Sequence, residues 1–146
     1  MHAETHMTWE GSRTAMVVLV VDDEKDLRSL LDFNLKQSGY RTLQAATGQE
    51  ALMQAQRHAP DMILLDLNLP DTTGIEILRQ VKENKYLKGT PVVILTTTDD
   101  SNEIKRCYEL GCNVYITKPV NYESFANAIR QLGLFFSVIQ VPPAAI

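Results

Sequence analysis

Three short apolar runs in this chain each stop at a polar residue, and this pattern narrows the folds that the sequence can adopt. The runs and the residues that end them are 16–21 with Asp22, 62–65 with Asp66 and 91–95 with Thr96. Unbroken apolar runs of this length predict strands that are buried on both faces, as happens when helices cover both sides of a parallel sheet.

Helical patterns separate these runs, and two weaker strand patterns complete the alternation. We predict helices at about 24–38, 47–59, 74–84 and 100–110, a fifth helix from residue 121, and further strands at 40–45 and 114–116. Alternating strands and helices imply a parallel sheet with helices on both faces. Because the second and fifth strands are the least apolar, we place them at the edges. This favours a doubly wound, flavodoxin-like α/β fold of five βα units with strand order 2-1-3-4-5.

The two ends of the chain differ in character from its body. Residues 1–15 are a polar leader that we expect to be disordered, residues 16–133 form one domain, and residues 134–146 are an apolar tail. Apolar residues recur at intervals of four and three at Phe125, Ile129, Leu132, Phe136 and Ile139. This spacing is typical of a helical seam, so we predict a C-terminal helical extension or arm that forms a homodimer. The alternative is a tail that folds back onto its own domain.

Composition and charge exclude several classes of function. The net charge is −4 and the basic residues are not clustered, so nucleic acid is not an expected partner. No apolar run approaches the roughly 20 residues of a membrane span, and the N-terminus has no signal-peptide pattern. Cys107 and Cys112 are five residues apart, which fits neither a zinc site nor a redox pair. We therefore expect a cytoplasmic protein without membrane contact.

Polar residues at the ends of the predicted strands form the candidate site. Such ends converge on one crevice in a doubly wound sheet, which would gather Asp22, Asp23, Asp66, Thr96 and Lys118. Two carboxylates about 4 Å apart repel by roughly 4 kcal/mol at an effective dielectric near 20, so this group of carboxylates calls for a cation. Oxygen ligands that leave positions for water suit Mg²⁺. We therefore predict Mg²⁺ as the cofactor.

The same residues suit phosphoryl transfer. A carboxylate fixed beside Mg²⁺ can attack phosphorus as a nucleophile. The reaction then depends mainly on positioning and on neutralising the charge of the phosphoryl oxygens. Mg²⁺, the Lys118 ammonium and the Thr96 hydroxyl could each contact one of those oxygens.

Four motifs give the sequence a resemblance to the response-regulator receiver family. They are VVDDE at 20–24, ILLDLNLPDTTG at 63–74, VILTT at 93–97 and YITKP at 115–119. The resemblance covers residues 17–132, and it is specific because all four motifs occur in order at the ends of the right strands. It implies that Asp66 accepts a phosphoryl group from a sensor histidine kinase, and that the chain is a phosphoacceptor switch rather than an enzyme.

The resemblance also implies a set of metal ligands. Asp23 and Asp66 would bind Mg²⁺ through their side chains. Asn68 would contribute its backbone carbonyl, and Asp22 would act through a water molecule.

The switching parts of such a domain are implied in the same way. Thr96 would be the switch hydroxyl and Tyr115 the switch aromatic, so that phosphorylation remodels the face of the fourth helix, fifth strand and fifth helix. The Lys118-Pro119 peptide bond is expected to be cis, as in the family. Thr98 carries no charge or amide to orient a hydrolytic water, which leaves the lifetime of the phosphoryl group open.

The C-terminal third resembles one subgroup of the family. The segment 96–125, followed by RQLGLFF and a Pro-Pro end, is similar to single-domain regulators paired with bacterial and cyanobacterial phytochromes. The implied kinase is then a bacteriophytochrome. The signal would leave by protein contact or by a phosphorelay through a histidine phosphotransfer protein, and the sequence does not choose between these routes.

Two other classes of function also fit parts of the pattern. Haloacid-dehalogenase-type phosphatases use a similar Asp, Mg²⁺, Thr and Lys, but they need a second Asp where this chain has Asn68. A receiver-like interaction module that is never phosphorylated would be expected to lack an acidic residue or Lys118, and all are present here.

Overall fold

The computed structural model describes residues 16–97 and 100–118, together with Glu123 and Asn127. Strands and helices alternate along this part of the chain. The strands are β1 (Val17–Val21), β2 (Arg41–Ala45), β3 (Met62–Asp66), β4 (Val92–Thr96) and β5 (Val114–Thr117). The helices are α1 (Lys25–Gln37), α2 (Gly48–His58), α3 (Gly74–Glu83) and α4 (Ser101–Glu109). The predicted bounds of these elements are confirmed to within one residue.

The strands form a parallel sheet in the order β2-β1-β3-β4-β5. This order confirms the predicted doubly wound, flavodoxin-like α/β fold. Every residue of β3 and β4 is buried, whereas β2 and β5 are partly exposed. Edge strands meet a neighbour on one side only, which is why their sequences tolerate more polar residues.

Alternate side chains of the central strands contribute to two hydrophobic clusters, because successive side chains of a strand point to opposite faces. Leu19 and Ile63 belong to the cluster that also takes buried residues from α2, α3 and α4. Val18 and Leu64 belong to the second cluster, which packs against α1. Each fully buried aliphatic side chain contributes roughly 1.5–3 kcal/mol. This two-sided core fixes the strand ends, where the polar residues lie.

Two side-chain hydrogen bonds fix the start of α2, whose cap residue is Thr47. The Thr47 side chain accepts a hydrogen bond from the Glu50 N–H at 3.1 Å. The Glu50 carboxylate reaches back and accepts a bond from the Ala46 N–H at 2.7 Å. The first bond satisfies a backbone donor that the helix start leaves without a partner, and the second ties the residue before the cap to the first turn.

The two cysteines pack together at the end of α4. Gly111 adopts a left-handed conformation with φ of 106°, and the Cys112 N–H donates to the Cys107 carbonyl at 3.0 Å. This closure of a helix end brings the first and last residues of the turn into contact. Both thiols are free and buried.

Several predictions fall on residues that lie outside the described ones. They are the polar leader, the bounds of the domain, the cis bond before Pro119, Thr98, the fifth helix, and the seam residues Phe125, Ile129, Leu132, Phe136 and Ile139. Within the described ranges, every helix is too short or too polar to cross a bilayer.

Gly74, at the start of α3, is the position where we expect a single added methyl group to be most damaging. A Cβ atom there would lie 2.5 Å from the Asp66 carbonyl oxygen and 2.6 Å from the Leu67 Cα atom. Both neighbours are backbone atoms, so the strand end itself would have to move. Overpacking of this kind costs about 1–3 kcal/mol. Gly74→Ala should therefore lower the thermal midpoint and displace Asp66.

Gly89 provides the matched control for this substitution. A Cβ atom at Gly89 would meet nothing within 4 Å. Gly89→Ala should therefore leave the thermal midpoint close to that of the wild type in the same calorimetric scan. Equal midpoints for the two variants would show that the close approach at Gly74 is relieved at no cost.

Candidate functional site

The candidate residues lie together at the carboxyl ends of four parallel strands. Asp22 follows β1 directly, Asp66 and Thr96 are the last residues of β3 and β4, and Lys118 follows β5. The Lys118 N–H donates to the Thr96 carbonyl at 2.6 Å, which ties the end of β5 to β4. Asp22, Asp66 and Thr96 are almost fully buried, although each carries a polar side chain.

Lys118 lies between carboxylates that come from distant parts of the chain. Its ammonium nitrogen is 3.0 Å from Asp22 Oδ2, 3.4 Å from Asp66 Oδ2 and 3.2 Å from Glu24 Oε1. Burial alone would lower the pKa of Lys118, but these carboxylates, Asp22 foremost, raise it overall. The side chain is therefore a cation at neutral pH, and its positive charge partly offsets the negative charge of Asp66.

Asp22 is held firmly by the backbone around it. Its N–H donates to the Ala45 carbonyl, and its own carbonyl accepts a bond from Arg28 at 2.7 Å. Its Oδ1 atom accepts a bond from the Glu24 N–H at 2.9 Å. The second oxygen, Oδ2, is buried and has no hydrogen-bond partner of good geometry among the described residues, although the Lys118 ammonium lies beside it.

The acidic residues of this pocket fit a divalent cation. Carboxylate oxygens of Asp22, Asp23 and Asp66 all lie within 4.8 Å of one another, with Asp23 exposed at the mouth. A single ammonium cannot neutralise this cluster, and the Asp22 oxygen without a hydrogen bond adds a buried acceptor. Carboxylate oxygens with space for water are the ligands that Mg²⁺ prefers. The residues that are present therefore suit the predicted metal.

The state of Asp66 follows from its surroundings. Burial raises the pKa of its carboxyl above the ordinary value. The hydrogen bond from the Asn68 N–H opposes this rise, the charge of Asp22 adds to it, and Lys118 opposes it. A carboxylate that is buried and repelled by a neighbour gains from binding a cation or from forming a bond to an electrophile.

The loop between β3 and α3 carries Asn68 and is anchored at both of its ends. The backbone of Asn68 pairs with Thr73 in an isolated bridge, and the Asn68 N–H donates to Asp66 Oδ1 at 3.2 Å. The Gly74 N–H donates to the Leu67 carbonyl at 2.8 Å. These bonds place the backbone of Asn68 beside Asp66, as the predicted metal role requires.

Asp71, in the same loop, makes a contact that the sequence did not reveal. Its carboxylate accepts bonds from the Gly48 and Gln49 N–H groups at 2.8 and 3.0 Å. These bonds lower the pKa of Asp71, as expected for an anion at the start of a helix. The loop next to Asp66 is thus fastened to the N-terminus of α2. No local sequence pattern marks such a partner, because it lies more than 20 residues away.

Tyr115 lies on the edge strand β5, opposite Ile94 of β4. Its ring is partly buried and packs against the cluster that includes Cys107. Thr96 is buried on the neighbouring strand. The two residues predicted to form a switch are therefore on adjacent strands, while the switching roles themselves stay predictions.

Comparison with known proteins gives a family match over most of the chain. The family model described as "Response regulator receiver domain" matches residues 18–130. Among curated proteins, the polar-differentiation response regulator DivK of Brucella ovis is 33% identical over 117 residues, which is 80% of this chain and 94% of DivK. The alkaline phosphatase synthesis transcriptional regulatory protein PhoP of Bacillus subtilis is 41% identical over 102 residues. That match takes in 70% of this chain and only 42% of PhoP.

Solved structures agree with this match. A response regulator receiver domain from Rhodospirillum rubrum is 50% identical, with a TM-score of 0.69, and the match covers 84% of this chain and 94% of that one. The Mn(2+)-bound form of response regulator Rcp1 is 33% identical, with a TM-score of 0.70 and coverage of 83% and 94%. Both are similar in fold and in sequence to the chain described above.

Proposed function

Since the chain belongs to the response-regulator receiver family, we propose that it is a signalling switch in which Asp66 accepts a phosphoryl group from a sensor histidine kinase in a Mg²⁺-dependent reaction. One observation carries this proposal. Asp66 is buried at the carboxyl end of the central strand β3. Lys118 lies 3.4 Å from its carboxylate, and the acidic residues Asp22 and Asp23 are beside it.

The proposed reaction follows from the residues around Asp66. A carboxylate oxygen of Asp66 forms a bond to phosphorus while the phosphorus–nitrogen bond to the kinase's phosphohistidine breaks. The bonding electrons remain on the imidazole nitrogen, which takes up a proton. The Lys118 ammonium and the Thr96 hydroxyl would contact phosphoryl oxygens, which is the charge neutralisation that phosphoryl transfer needs most.

The metal would complete this neutralisation. When bound, Mg²⁺ supplies positive charge to the phosphoryl oxygens as charge develops on them. We propose that Asp23 and Asp66 bind it directly, Asn68 through its carbonyl and Asp22 through water. The compact set of carboxylate oxygens supports this assignment, as does the Mn(2+)-bound form of the similar regulator Rcp1.

We propose that output depends on the face formed by α4, β5 and the fifth helix. Thr96 would move toward the phosphoryl group and Tyr115 would follow, which would change that face for a partner protein. Transfer of the phosphoryl group to a histidine phosphotransfer protein is the second route. Either way, the chain would act as a cytoplasmic switch and not as an enzyme with a separate substrate.

The partner proteins are proposed from sequence resemblance alone. A bacteriophytochrome would be the sensor kinase, and residues 125–139 would form a homodimer seam. Light scattering on the full chain should then give twice the monomer mass of 16.4 kDa at micromolar concentration. A monomer under those conditions would remove the dimer and leave the phosphoacceptor proposal intact.

The decisive experiment for the main proposal uses a small phosphoryl donor. The protein is incubated with acetyl phosphate and Mg²⁺, and its intact mass is recorded with and without a chelator. We expect a gain of one phosphoryl group that disappears when the metal is removed. Because a short lifetime could hide this gain, binding of beryllofluoride with Mg²⁺ is measured in parallel. Failure of both would leave the non-phosphorylated interaction module as the better reading.

A further inference from the structure

Glu24 is an exposed carboxylate that reaches into the pocket from its rim. It is the N-terminal cap residue of α1, yet its side chain makes no cap hydrogen bond. The Lys118 ammonium donates a hydrogen bond to Glu24 Oε1 at 3.2 Å instead. Glu is not one of the residues that commonly cap a helix start, and here its carboxylate is directed at Lys118 instead.

The Lys118 ammonium is shared among three carboxylates in this state, and its hydrogen bond of good geometry goes to Glu24. An ammonium group has three N–H donors and no acceptor. Three carboxylates surround it, from Asp22, Asp66 and Glu24, at 3.0 to 3.4 Å. A phosphoryl oxygen that arrives at Asp66 must therefore compete with these carboxylates for the Lys118 ammonium.

Burial decides which carboxylate yields. The side chains of Asp22 and Asp66 are 0% and 2% exposed, so either would be left as an unpaired buried charge. The Glu24 side chain is 63% exposed and can exchange Lys118 for water at little cost. The backbone of Glu24 is meanwhile fixed, because its N–H donates to Asp22 Oδ1 and its carbonyl accepts from the Arg28 N–H. Only a side-chain rotation is needed.

We propose that Glu24 is a displaceable ligand of Lys118 that competes with the incoming phosphoryl group and so sets how readily Asp66 is phosphorylated. This inference rests on the proposed phosphoacceptor function and adds a regulatory residue to it. Glu24 acts through Lys118 and touches no reacting atom, so it is a positioning residue. Its charge holds the ammonium in the pocket before the phosphoryl group arrives, and its exposure lets it leave.

The test compares Glu24→Gln with a charge-matched control. Glu24→Gln keeps the size of the side chain and removes its charge. Asp26→Asn removes the same charge from the exposed first turn of the same helix. For both variants and the wild type, the rate of phosphorylation by acetyl phosphate and the affinity for beryllofluoride are measured at saturating Mg²⁺, in low and in high salt.

We expect Glu24→Gln to be phosphorylated about threefold faster and to bind beryllofluoride about threefold more tightly, the size expected for one exposed ion pair. High salt should reduce this gain less than any effect of Asp26→Asn, because Glu24 is in contact with Lys118. A melting temperature equal to that of the wild type would confirm that Glu24→Gln leaves the fold unchanged.

Two outcomes would overturn this inference while the phosphoacceptor function stands. One is an equal effect of the two variants at each salt concentration, which would show that Glu24 acts only through its long-range charge and not through contact with Lys118. The other is slower phosphorylation of Glu24→Gln, which would show that Glu24 assists the reaction instead of competing with the phosphoryl group. A wild type that neither gains mass nor binds beryllofluoride would overturn the proposed function itself, and the inference with it.

Discussion

Asp66→Asn should abolish the gain of one phosphoryl group from acetyl phosphate and, at the same time, make the folded protein more stable at neutral pH. The loss of the mass gain follows because an amide cannot act as the nucleophile. The gain in stability follows because the Asp66 carboxylate is buried beside Asp22, and asparagine removes that charge without changing the size of the side chain. Intact mass and thermal unfolding measure the two effects.

The pH dependence of this difference has a definite sign. The pKa of Asp66 is raised in the folded protein, so the folded state holds its proton more strongly than the unfolded state does. The stability that the bound proton provides is fully present below the pKa of Asp66 in the unfolded chain, about 3.9. It is lost as the pH rises through the pKa of Asp66 in the folded protein. The melting temperature of Asp66→Asn should therefore exceed that of the wild type by more as the pH increases across that window.

Asp26→Asn is the control for both measurements. Asp26 is exposed in the first turn of α1, so its replacement should preserve the mass gain and give no gain in stability. A phosphoryl group that still appears on Asp66→Asn would place the acceptor elsewhere in the chain. A variant that is less stable than the wild type at neutral pH would show that the Asp66 carboxylate is a net favourable partner of Lys118.

The arrangement of the sheet could be predicted because it depends on patterns within single segments. The unbroken apolar runs of β1, β3 and β4 mark strands covered on both faces, and the more polar β2 and β5 can only be edges. The segments that connect the strands are long enough to be helices, and helical connections join parallel strands. Topology alone then brings together, at the carboxyl ends of the strands, Asp22, Asp66, Thr96 and Lys118.

The contacts that refine the site could not be predicted, because each joins residues that no local pattern connects. Glu24 and Lys118 are 94 positions apart, and Gly48 and Asp71 are 23 apart. The fold brings them together only after the whole sheet has formed. The sequence also marked Gly74 simply as the start of a helix, whereas its lack of a side chain is what lets α3 approach the Asp66 backbone.

Replacing Lys118 with methionine should lower the free energy of unfolding by about 3 kcal/mol at neutral pH without Mg²⁺, because it leaves buried carboxylates without their cation. Methionine keeps an unbranched apolar stem of similar length, so the change is chiefly one of charge. The same variant should be phosphorylated about 100-fold more slowly, which is the typical cost of losing one group that stabilises developing charge. Denaturant unfolding and intact mass measure the two effects.

The matched control is Lys82→Met. Lys82 is also partly buried, but its ammonium donates to the carbonyls of Thr90 and Lys88 at 2.9 and 3.3 Å. Its loss leaves no unpaired carboxylate, so any loss of stability should change little with pH in the acidic range or with Mg²⁺.

Acid and Mg²⁺ distinguish a charge effect at Lys118 from a loss of packing. Without the ammonium, the pKa of Asp66 in the folded protein should rise further, so the loss of stability should shrink as the pH falls and this carboxylate takes up a proton. Mg²⁺ should also stabilise Lys118→Met more than the wild type, because the metal no longer competes with an ammonium for the same oxygens. If neither acid nor Mg²⁺ reduced the loss in the free energy of unfolding of Lys118→Met, Lys118 would contribute by packing. The electrostatic account of this pocket would then fail.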